Sequence, residues 1–72
     1  MSTFGQDLME IKNRFTQDVE QILKRQAGVK FQTHIYNDAM MDCSYGSFYI
    51  LLNISNLTSE DCASKILCMF HQ

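Results

Sequence analysis

Proline and tryptophan are missing from this chain, and only three glycines interrupt its 72 residues. Without proline, no helix or strand is broken from within, so each periodic run can be followed to its own end. Gly5, Gly28 and Gly46 are scattered, which excludes a glycine-rich loop able to cradle a phosphate. The three cysteines, Cys43, Cys62 and Cys68, are odd in number and form neither CxxC nor CxC. That pattern argues against a disulfide framework and against a closely spaced zinc site. No apolar run reaches the ~18 residues of a membrane span. The opening MSTFGQDLMEIK is amphipathic at once and is not a leader. These absences predict a cytosolic, reduced protein, in which the sequons at Asn53 and Asn56 are chance matches.

Charge is scarce as well. Eight acidic residues face six basic ones, for a net charge of -2, and neither sign forms a block. This excludes a general attraction to phosphate backbones, and it is too little charge for an acidic mimic of nucleic acid. Apolar residues are plentiful: 46% are hydrophobic, with five phenylalanines and three tyrosines, which excludes disorder. The chain reads as one domain, 1–72. A single core of this size is marginal, and folds this small often lean on a second copy.

From Phe4 to Ala27 the apolar positions Phe4, Leu8, Ile11, Phe15, Val19, Ile22 and Leu23 fall in one helical stripe. Glu10, Asn13, Arg14, Gln17, Glu20, Gln21 and Lys24 form the opposite, solvent-facing side. Ser2 or Thr3, the latter with Gln6, can cap the start, and Gly28 suits the left-handed stop. A coiled coil is disfavoured, since the same register puts Asp18 and Arg25 in the seam. Residues 29–36, VKFQTHIY, alternate as a half-buried strand. Asn37-Asp38 and Gly46 mark turns, and 39–45 fits either a third strand or a loop. Residues 47–54, SFYILLNI, are the most hydrophobic run and predict the central strand. Thr58 caps a last helix, SEDCASKILCMF, with acidic residues at its positive end and Cys62, Ala63, Ile66, Leu67, Met69 and Phe70 on its apolar face.

The expected fold is therefore α+β: a two-layer helix–strands–helix, αββα or αβββα, with a small antiparallel sheet covered by two helices on one face. The αβββα order resembles that of the double-stranded-RNA-binding domain. That family carries a lysine cluster at the start of its last helix, where this chain has Ser59-Glu60-Asp61 and only Lys65 later. The phosphate contacts are therefore missing.

Two helices on one face would bury Val29, Phe31, Ile35, Phe48, Ile50, Leu52 and Ile54. Nothing is left to cover the other face. Tyr49 and Leu51 should lie there, followed by Asn53, with His34 and Tyr36 as cross-strand neighbours. Aromatic residues are enriched at interface cores and hot spots, and a leucine in the middle of a solvated face is hard to explain otherwise. Met40 and Met41 add adaptable side chains in the 38–45 segment, although folding over the core would suit them too. The predicted partner-binding set is thus His34, Tyr36, Tyr49, Leu51, Asn53, Met40 and Met41.

Other chemistries find less support. His34, Cys43, Cys62, Cys68 and His71 lack metal-ligand spacing, so no metal or cofactor is expected. A pairing of Cys43 with His34 or His71 carries little weight, since any chain with three cysteines and two histidines offers such pairs. Cys62 reads as core, while Cys43 and Cys68 read as free to cross-link copies. The expectation is a non-enzymatic module that binds another protein. It would self-associate as a homodimer and serve as adaptor or inhibitor of a larger assembly, as bacterial and phage accessory proteins do. The alternative is a nucleic-acid module stacking bases on Tyr36, Tyr49 and His34, with Lys30 as its one cation.

Overall fold

The computed structural model describes residues 4–37 and 39–72, with side chains from Glu10 onward. The proposed cap at Ser2, Thr3 and Gln6 and the turn residue Asp38 lie outside that range. Helix α1 runs Phe4–Ala27 and helix α2 runs Ser59–Phe70. Between them stand β1 (Gln32–Ile35), β2 (Met40–Tyr45) and β3 (Phe48–Asn53), all antiparallel in the order β1-β2-β3. The fold is the α+β sandwich of helices and open sheet that the residue pattern implies, in its αβββα form.

Each boundary has a local cause. Gly28, with φ of 77°, turns the chain out of α1 and donates its N–H to Lys24 O at 2.9 Å. Asn37 Oδ1 accepts from the N–H groups of Ala39 and Met40, at 2.8 and 3.1 Å, and so builds the β1–β2 turn. Gly46, φ 61°, occupies the first position of the two-residue β2–β3 loop, where a tight hairpin needs positive φ. Thr58 Oγ1 accepts from Asp61 N at 3.1 Å while Asp61 Oδ2 accepts from Thr58 N at 3.4 Å, a reciprocal cap on α2.

Both helices lie on one face of the sheet. Val19, Ile22 and Leu23 of α1, Cys62, Ala63 and Ile66 of α2, and Phe31, Met41 and Cys43 from the sheet side form one buried cluster. Phe31 is its aromatic hub: its ring lies 5.0 Å from Phe70 edge-to-face, 5.6 Å from Tyr45 and 6.0 Å from Phe48.

Several sequence expectations are corrected here. Of the two alternatives for 39–45 the strand holds, over Met40–Tyr45, and it is this strand and not the hydrophobic run at 48–53 that lies in the middle; 48–53 is an edge. The meander follows from two short turns, which make each strand pair only with its chain neighbour. Met41 and Cys43 alternate inward along β2 and are fully buried, so Met41 is core and not a contact residue, and Cys43 is not a loop thiol. β1 is shorter than 29–36 because β2 has turned away at Gly46, leaving Val29 and Lys30 without a strand opposite. Ile11 is 64% exposed: α1, about 36 Å long, outruns strands of less than about 20 Å. Met69 is 49% exposed, on the rim of α2. Glu20 belongs to neither solvent nor stripe. Its Oε2 accepts from both Thr33 N (3.0 Å) and Thr33 Oγ1 (2.7 Å).

Candidate functional site: the open sheet face

Alternation along three strands sets out the uncovered face. Cross-strand register gives rows Gln32–Ser44–Tyr49 and His34–Asp42–Leu51, with Met40 beside Asn53. Tyr36 follows β1 and joins Met40 through a 3.0 Å main-chain bond. Tyr49 is 58%, Leu51 53% and Tyr36 52% exposed. The second side of SFYILLNIS is therefore open, as the composition of that strand predicts.

At the centre of the face is a group that sequence reading missed. Asp42 Oδ2 accepts from Tyr36 Oη at 2.5 Å and from Tyr49 Oη at 3.2 Å, and the two phenol oxygens are 3.3 Å apart. His34 and Tyr36 are thus not direct cross-strand neighbours of Tyr49 and Leu51; β2 lies between, and Asp42 links Tyr36 to Tyr49. Once 39–45 is known to be a strand, alternation alone places Asp42 there. The bond to the carboxylate, then the neighbouring Tyr49 hydroxyl, raise the Tyr36 pKa well above the usual tyrosine value. The His34 ring meets Tyr36 edge-to-face at 4.8 Å. Among the predicted residues, His34, Tyr36, Met40, Tyr49, Leu51 and Asn53 lie on this face. Asn53 Oδ1 is already engaged by Ser55 N at 2.8 Å.

The two edges of the sheet differ. The N–H of Ile54 bonds Ala39 O at 2.7 Å, which fixes the alternation of the β2–β3 ladder: residues 41, 43 and 45 exchange bonds with 52, 50 and 48. Tyr49, Leu51 and Asn53 consequently aim their N–H and C=O groups away from β2. No described residue pairs with them. On the opposite edge the outward N–H of Thr33 is taken by Glu20 from α1. The β1 edge is blocked at Thr33, whereas the β3 edge carries no such contact among the described residues.

Among the described residues no three His, Cys, Asp or Glu side chains converge as a metal site would need. A shallow groove runs along Glu10, Ile11, Arg14, Phe15 and Asp18 of α1. No helix among the described residues is long and apolar enough to cross a membrane. The site defines the chain as a small α+β domain with one uncovered sheet face and a β3 edge that no described residue pairs with. No protein-family model matches the sequence, and no characterised protein or solved structure proved similar to it.

Proposed function

We propose that this protein is a non-enzymatic interaction module that self-associates through the free edge of β3 and presents its open face to a larger protein, as adaptor or inhibitor. The observation that carries the reading is the chemistry of that edge. Soluble proteins blunt an exposed edge strand with lysine, proline or a bulge. β3, FYILLN, has none of these and no charge at all. The other edge is blocked at Thr33 by the Glu20 carboxylate.

A second copy fits this edge by geometry. Pairing about a two-fold axis normal to the sheet sets Leu51 opposite Leu51 of the second copy and Tyr49 opposite its Asn53. Every outward amide of the strand then finds a partner. The helices of both copies stay on one side, and the two open faces merge into one six-stranded surface. The three cysteines are free, with Cys43 and Cys62 buried, as suits a cytoplasmic protein. A nucleic-acid partner is disfavoured because the one charged side chain among the described residues of β1–β3 on the open face is a carboxylate.

Proline at position 51 is the direct test. The Leu51 N–H faces the free edge, so Leu51→Pro removes an intermolecular donor without breaking the β2–β3 ladder. The variant should keep the wild-type circular dichroism and sediment as a monomer at concentrations where the wild type is a dimer. A folded Leu51→Pro dimer would remove β3 from the interface.

A further inference from the structure

We propose that the Tyr36–Asp42–Tyr49 cluster receives a cationic side chain, arginine foremost, from a protein partner that docks on the open face.

Aspartate is disfavoured in strands, yet Asp42 stands at the middle of the middle strand, where only a half-exposed site is available. Two tyrosine hydroxyls spend their protons on one of its oxygens, Oδ2. The second oxygen, Oδ1, takes no hydrogen bond from any described residue and keeps its lone pairs for an incoming donor. Tyr36 and Tyr49 bring their hydroxyls to the same carboxylate, and the His34 ring packs edge-to-face on Tyr36. Leu51 and Met40 are its neighbours on β3 and β2.

A carboxylate with one open oxygen beside two tyrosines matches a guanidinium on two counts. The planar fork donates charge-assisted hydrogen bonds to the carboxylate, and its flat cation lies favourably against tyrosine faces. An ammonium ion would satisfy the first but use the rings less well. The cluster does not suit a second copy stacked face to face, since a two-fold axis through the face would bring one Asp42 against the other. The edge of β3 and the face of β2 therefore serve different partners. The cation site belongs to each monomer and does not depend on edge pairing.

The probe is a short capped peptide with one arginine between leucines, compared with the same peptide carrying citrulline, its neutral isostere. Both are titrated into the isotope-labelled protein and followed by amide chemical shifts, with the wild type beside Asp42→Asn. Asparagine keeps an acceptor for both tyrosines, so an unchanged thermal midpoint certifies the fold. Sedimentation of the same samples reports self-association separately. The arginine peptide should give saturable shifts centred on His34, Tyr36, Asp42, Tyr49 and Leu51. Affinity should fall at least about tenfold with citrulline or with Asp42→Asn, as expected for loss of a charged hydrogen-bond partner. Equal binding of the citrulline peptide, equal binding by Asp42→Asn, shifts confined to the β3 edge, or no saturable shift would each overturn the assignment.

Discussion

At the scale of single residues, the three cysteines show how position in an element decides chemistry. Burial, with added repulsion from Asp42 and Glu20, pushes the Cys43 thiol up to about 12. Burial and Asp61 push Cys62 up to about 11, with Lys65 opposing. Cys68 lies on the exposed side of α2. Since the thiolate is the reactive form, native protein should release one equivalent of chromophore quickly from an aromatic disulfide reagent, and unfolded protein three. A second fast thiol in the folded state would mean that β2 or α2 opens readily. Cys62 as core and Cys68 as the exposed thiol were legible in helical spacing. Cys43 was not, because its burial depends on whether 39–45 pairs as a strand, and no local signal in MMDCSY decides that. The same ambiguity hid Asp42 and misplaced Met41.

At the scale of elements, the helices were legible to the residue, α1 from its apolar period and Gly28, α2 from Thr58 and its acidic first turn. What spacing along one strand could not convey was lateral order. SFYILLNI is the most hydrophobic strand and lies at the edge, because hydrophobicity reports burial of a face, while position in the sheet follows from the turns. Glu20 likewise falls on the polar side of the α1 wheel, yet its carboxylate caps the edge of β1 at Thr33. Glu20→Ala should leave the Thr33 N–H and hydroxyl without partners and cost about 1–3 kcal/mol, measured by urea unfolding. It should also unblock the β1 edge at Thr33, so a rise in association order with protein concentration is expected. A change below about 0.5 kcal/mol, the range of ordinary surface substitutions, would mean that the Glu20–Thr33 contact contributes nothing to the fold.

At the scale of the whole molecule, a core this small feels every buried titration. Cys43 and Cys62 both have folded pKa values above those of the unfolded chain, so the folded state holds their protons more tightly. Their contribution is fully present below the unfolded thiol value of about 8.5 and is lost as pH rises toward the folded values. The raised pKa of Tyr36 acts in the same direction, weakened by its exposure. Thermal midpoints should therefore be level from about pH 7 to pH 8.5 and decline steadily from about pH 9 to pH 11, in scanning calorimetry with reductant present. A midpoint that rises over that window would contradict the burial of both thiols.

The central claim is that the uncharged, unpaired edge of β3 joins two copies. Absolute molar mass by light scattering, across a concentration series and with reductant to silence Cys68, tests it most directly. The account predicts twice the 8.4 kDa chain mass at micromolar concentration, reverting to the chain mass in Leu51→Pro. A wild-type protein that stays at the chain mass throughout the series would contradict it, and would leave the open face, with Asp42 at its centre, as the binding surface of a monomer.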